Sequence, residues 1–270
     1  MNVVSDQKKN TSNRKNTQSH RRIKAVQCPR KSVVQIYFHD RNVTLSYYND
    51  LFDLQVGDYV YVDGKLEGLL GQVTQVNYSF KIKVSDYKRV VEQVNTEVSG
   101  RFFMMPSHFI TFEVATLPPS QVLRWLKGPD AQEEAFVVGR DDFRFPLAEL
   151  KEMKISSAVA ERGHEYYMKN RVRYLELDGI RGYALVEGSE TYEVEFLLED
   201  GFVRDLFCSC FCSDTCKHQF AVMLQLKETL EYIEKNYAAE FAASGRFAVI
   251  DKPTLFRFAV HGKEKKSFLL

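Results

Sequence analysis

The chain has 270 residues, 44% of them hydrophobic, and a net charge of only +1, which is enough apolar content for a packed core and more length than one ordinary domain. The opening residues hold no apolar run like a signal-peptide core, and no stretch supplies the roughly eighteen consecutive apolar residues of a membrane span, so a soluble, cytoplasmic protein without a membrane partner is expected. A reducing compartment excludes a disulfide scaffold, and five cysteines cannot all pair within one chain, so clustered thiols point to metal.

Residues 1–30 are Asn, Ser, Lys, Arg and Gln with almost no apolar content, the composition of a disordered arm. Through Lys31 the chain carries nine cations against Asp6 alone, a net +8 that leaves −7 for the remainder. Such an arm suits non-specific contact with DNA or RNA phosphates, or simply keeps the chain soluble. Cys28, isolated within it, reads as a free thiol.

Over residues 31–100 the texture becomes β. SVVQIYF, NVTLSYY, DYVYVDG, GQVTQV and SFKIKV are short runs rich in Val, Ile, Tyr and Phe, separated by Asn-Asp, Asp-Gly and Gly-rich turns. They predict a small β-barrel. The piece from Leu54 to Val76, LQVGDYVYVDGKLEGLLGQVTQV, resembles the core of KOW and SH3-like barrels, which implies a scaffold, a protein-docking unit or a nucleic-acid binder.

Residues 101–154 read as a connecting α/β region. It holds a short helix, PSQVLRWLKG, whose Trp125 is expected to anchor core, and the runs EAFVVG and FRFPLAELKEM. Residues 155–243 form a more regular unit. A helix is predicted from Ser156 to about Asn170, with Gly163 permitting close backbone approach. Strands follow at 172–177, 182–186, 192–198 and 202–207, turned at Asp178-Gly179, Gly188-Ser189 and Asp200-Gly201. Phe220, Met223, Leu226, Leu230, Ile233 and Tyr237 then recur at steps of three and four, an amphipathic helix that can cover the meander. Residues 244–270 read as a tail in which Phe256, Phe258 and Val260 alternate like a strand. The fold class expected is α+β: a small N-terminal barrel, then a metal-stapled antiparallel meander with flanking helices.

Between the last strand and the long helix stand Cys208, Cys210, Cys212, Cys216 and His218, four thiols and an imidazole within eleven residues. A strand turns alternate side chains to one face, so Cys208 and Cys210 can meet one ion, while Cys216 and His218 form a second chelating pair at the helix start. Thiolate and imidazole are the ligands that Zn2+ prefers, and four of them make a closed structural site. Cys212 continues the same alternation and is the alternative to Cys208. The set Cys208, Cys210, Cys216, His218 leaves the longer and less strained loop before Cys216. A redox dithiol is a remote alternative that gives His218 no purpose.

Strand, CSC, short loop, CKH and apolar helix resemble the SWIM zinc finger, with its Cys-x-Cys, variable gap and Cys-x-His. VAERGHEYYMKNRVRYLELDG and ALVEGSETYEVEF resemble the helix and meander that precede the finger in bacterial members, so the likeness spans residues 155–230. It places Cys208 and Cys210 in the Cys-x-Cys positions and Cys216 and His218 in the Cys-x-His positions. The gap is slightly short and Cys212 is extra. The resemblance implies a binding module of protein or nucleic-acid machinery, such as a Swi/Snf-type helicase system. The chain shows no G-x-x-x-x-G-K-[ST] phosphate loop, Gly-x-Ser-x-Gly or His-Glu-x-x-His, so no catalytic or cofactor-binding residues are expected and a non-enzymatic adaptor is. Between residues 151 and 235 there are eleven Lys and Arg against sixteen Asp and Glu. An acidic finger favours a protein partner; direct DNA or RNA binding by finger and arm is the alternative and requires Arg171, Arg173, Arg181 and Lys217 to gather on one side.

Overall fold

The structure, a computed structural model, describes residues 29–129, 143–212, 214–260 and 267–269; nearly all of the basic arm, with Cys28, and the EAFVVG run lie outside the described residues. Fully buried Val34, Ile36 and Phe38 alternate along β1 (Ser32–Phe38). It is followed by β2 (Val43–Asn49), β3 (Tyr59–Val62), β4 (Gly71–Asn77) and β5 (Val90–Gln93). These form an antiparallel sheet in the order β2-β1-β4-β3-β5. The N–H of Tyr48 donates to the Lys88 carbonyl at 2.9 Å and Tyr48 bridges Arg89, so the two outer strands meet at one end and the sheet curls around Val34, Ile36, Val60, Val62 and Val73.

The SFKIKV run is not a strand. Both neighbours of β4 are already taken, and the chain must cross β3 to reach the far edge, so residues 78–89 span the sheet's end instead of pairing along it.

The rest of the chain contains β6 (Ser99–Arg101), β7 (Phe103–Met104), β8 (His108–Thr111), α1 (Pro119–Leu126), β9 (Arg144–Pro146) and α2 (Ser157–Met168). The meander follows as β10 (Val172–Asp178), β11 (Arg181–Glu187), β12 (Thr191–Glu199) and β13 (Phe202–Cys208), then α3 (Lys217–Asn236) and α4 (Ala238–Ser244). Next come β14 (Arg246–Asp251), α5 (Lys252–Leu255) and β15 (Ser267–Leu269), the last pairing in parallel with β6. Eight strands make one antiparallel sheet, β7-β8-β14-β10-β11-β12-β13-β9. The segments read from sequence as connection and tail therefore contribute strands to the sheet that carries the meander. With five helices and antiparallel sheets among the described residues, the protein is α+β.

One face of this sheet is covered by α3, whose Ala221, Val222, Met223, Leu226 and Ile233 are fully buried against Leu175, Val194, Phe196 and Val249. Each large side chain so buried contributes about 1.5–3 kcal/mol. Helix α2 begins at Ser156, whose hydroxyl accepts from the Val159 N–H at 3.3 Å, and lies against the first turns of α3. A Cβ at Gly163 would sit 2.9 Å from the Lys217 carbonyl oxygen, so only glycine lets the two helices approach this closely. On the other face Tyr174, Leu185, Ala248 and Ile250 join Tyr59 and Tyr61 of the curled sheet in a second core. There Trp125 is 1% exposed, stacks on Phe258 at 5.1 Å and donates its indole N–H to the Asn95 carbonyl.

Phe256–Val260, expected as a strand, is a π-helical turn continuing from α5. Asp251 caps that helix by accepting from the Thr254 N–H at 3.2 Å, and Pro253 stands in its first turn, so local helix signals outweigh the alternation of Phe256, Phe258 and Val260.

Candidate metal centre

The route to the centre starts with a parity problem. Val203 on β13 is fully buried in the core beneath α3, and Cys208, five residues later, is buried in the same core. Side chains an odd number of residues apart on a regular strand face opposite ways. The register between β12 and β13 resolves this: Leu197 faces Arg204 and Glu195 faces Phe207, so Asp205 and Leu206 together oppose Phe196. Asp205 takes φ +52. This β-bulge adds the one residue that turns Leu206 and Cys208 back toward α3. It also leaves the Leu206 carbonyl free to accept from Gln219 Nε2 at 3.0 Å.

Beyond Cys208 the chain leaves the strand through Ser209, whose N–H donates to the Glu193 carbonyl and whose hydroxyl accepts from the Glu193 N–H, both at 2.9 Å. Ser209 thereby holds the CSC turn to β12. From the other side Cys216 caps α3 in a capping box: its N–H donates to Gln219 Oε1 at 2.7 Å, and its sulfur accepts from the N3 backbone. One amide side chain, Gln219, thus ties the start of the helix to the bulge of the strand.

The structure brings Cys208, Cys210, Cys216 and His218 together, their donor atoms all within 4.8 Å of one another. His218 Nδ1 lies 3.7 Å from the Cys208 sulfur and 3.8 Å from the Cys216 sulfur. A tetrahedral ion with ordinary metal–sulfur and metal–nitrogen bonds places S and N ligands about 3.6 Å apart and two sulfurs about 3.8 Å apart. The spacing fits a metal ion. Cys212 is exposed and outside the group.

Backbone N–H groups point at the sulfurs as they do at anions: that of Cys210 at Cys208, that of Cys212 at Cys210 and that of Gln219 at Cys216. The neighbouring Cys208 thiol donates to Cys216, which holds Cys216 well below the usual thiol range against the opposing effect of burial. The same bond and burial push Cys208 up, and burial pushes Cys210 up. A metal ion would take the place of those protons.

The imidazole is held by its neighbours more than by hydrogen bonds. Tyr192 stacks on His218 at 4.3 Å and 19°, and Tyr166 packs against it at 5.4 Å. Buried His218 Nε2 has no hydrogen-bond partner among the described residues and lies beside Gly188, where a Cβ would come within 3.4 Å of it. Nδ1 is therefore the donor atom turned to the sulfurs. Gln219, Ser209, Tyr192 and the bulge at Asp205 are the parts that reading the sequence missed. Of these only Gln219, three residues after Cys216 as in a capping box, left a readable signal.

Of the four cations that phosphate contact would call on, three are engaged by neighbours, while Arg181 is exposed. Arg171 pairs with Glu187 at 2.9 Å, Arg173 pairs with Glu187 and with Asp251, and the Lys217 ammonium lies over the Tyr166 ring at 4.6 Å. Among the described residues no helix is long and apolar enough to cross a membrane. Comparison with protein-family models, curated proteins and solved structures gave no match to this chain.

Proposed function

We propose that residues 155–243 form a SWIM-type zinc finger in which Cys208, Cys210, Cys216 and His218 hold one Zn2+ structurally, and that the chain is a non-catalytic adaptor. The observation that carries this reading is the convergence of three sulfurs and one imidazole nitrogen within 4.8 Å of one another, with the nitrogen 3.7 and 3.8 Å from two of the sulfurs. Zinc in such a set supplies four strong bonds and no open position for a reacting water. The chain's own residues do the rest: the bulge aims Cys208, Ser209 fixes the CSC turn, Gln219 joins helix to strand, and Tyr192 orients the ring. The end of β13 is thereby fastened to the start of α3. Protein purified without added zinc should carry about one equivalent; a value near zero with the fold retained overturns the reading.

In this reading the partner is a protein of nucleic-acid machinery, such as a Swi/Snf-type helicase, with the basic arm adding non-specific contact to DNA or RNA. The pairing of Arg171 and Arg173 with carboxylates supports a protein partner for the finger over phosphate. The curled N-terminal sheet, whose outer strands meet at Tyr48 and Lys88, supports the likeness to KOW and SH3-like barrels. If the arm meets about six phosphates, the log–log salt slope on duplex DNA is roughly −5. Deleting residues 1–30 should abolish retention on DNA and leave zinc content unchanged. Undiminished binding with the same slope would favour the second reading, direct DNA or RNA binding by the folded part.

A further inference from the structure

Cys212 is the one thiol of the finger that the proposed zinc site does not use. It is exposed, next to Phe211, which is 85% exposed, whereas Cys208 and Cys216 are buried and Cys210 is half-buried. Its backbone N–H faces the Cys210 sulfur. Two residues span at most about 7 Å of chain, so the Cα atoms of Cys210 and Cys212 stand at or near the range of about 4.4–6.8 Å that a disulfide bridges. An exposed thiol stands two residues from a thiol of the proposed metal site.

We propose that Cys212 and Cys210 form a peroxide-reactive pair whose oxidation to a disulfide removes one ligand from the metal and releases it. The proposal rests on the zinc reading for its consequence, though not for the chemistry of the pair. The Cys212 sulfur attacks the O–O bond of a hydroperoxide; its thiol proton leaves with the departing oxygen as water, or as alcohol from an organic peroxide, giving Cys212–SOH. The Cys210 sulfur then attacks that sulfenic sulfur, the S–S bond forms and hydroxide departs. The two sulfurs together lose two electrons and the peroxide gains them. Three donors remain, and the join between β13 and α3 opens. A thiol reductant reverses the step.

The test is a hydrogen peroxide titration of the full chain as purified. Metal is first quantified, release is then followed with a chromogenic chelator, and the Asp205–Lys217 tryptic peptide is read by mass spectrometry. The expected result is a Cys210–Cys212 disulfide appearing in step with release of one equivalent of zinc, reversed by dithiothreitol when zinc is resupplied. In Cys212→Ser, which leaves all four ligands in place, zinc content should be normal and peroxide-driven release at least tenfold slower. Equal release rates in the two proteins, or a disulfide between other cysteines, overturn the proposal. A protein that carries no metal yet forms the Cys210–Cys212 disulfide sustains the pair and defeats the zinc reading. A zinc-loaded protein that yields only Cys212 sulfinic acid defeats the pair and leaves the zinc reading standing.

Discussion

The two ends of α3 are fastened to the same sheet by opposite means. At its C-terminal end Tyr237 packs against Phe103 at 5.1 Å and Phe112 at 6.2 Å, donates its hydroxyl to the Met104 carbonyl, and is followed by Phe241 against Phe247. At its N-terminal end the fastening is three thiols, an imidazole and the Gln219 amide. The aromatic end is complete in the chain itself. The thiol end gathers three sulfurs and an imidazole that could hold a metal ion, so under the proposed reading one helix combines an unconditional anchor with a conditional one.

The largest test of that contrast is Cys216→Ser. Structural zinc in small fingers contributes on the order of 10–16 kcal/mol, so losing it should abolish amide-exchange protection at 206–220. Protection around 230–241 should survive; if both ends open together, the contrast fails. Tyr237→Ala works from the other side. Losing two aromatic contacts and a hydrogen bond should cost about 3 kcal/mol in denaturant unfolding, with zinc content unchanged. Gln219→Ala removes the capping box and unpairs the Leu206 carbonyl, for about 2 kcal/mol. It should raise the zinc off-rate to a chelator while preserving stoichiometry, since Gln219 positions ligands and is not one. The smallest effect belongs to Cys212→Ser, which should shift stability by no more than about 0.5 kcal/mol under reducing conditions.

The meander was legible because each cue was local: Tyr192, Val194, Phe196 and Leu198 alternate, and Asp200-Gly201 turns with both residues left-handed, at φ 50 and 81. The four clustered residues were legible from spacing and ligand chemistry. What set Cys208 inward was not, because a bulge depends on how two strands register and leaves no residue pattern of its own. β14 escaped for a different reason. Its residues RFAVID are all buried, since β8 and β10 flank it and both sheet faces are covered, so no alternation marks it. The false strand at Phe256–Val260 shows the converse, an alternation overruled by the Asp251 cap and Pro253.

The place of β14 in the sheet bears on the order in which the protein can be built. β8 and β10 are made early, yet in the sheet they are separated by the width of a strand that emerges only at residues 246–251. Until then the meander has an open edge along β10, and β8 has no central partner. Pairings across about 140 residues of chain are slow to close, and an open edge is a template for mispairing with a second nascent chain. Synthesis therefore passes through a state in which the Cys/His cluster and α3 are complete while the sheet beneath them is not. A chain halted just before residue 246 should be held by chaperones or aggregate, whatever its metal content.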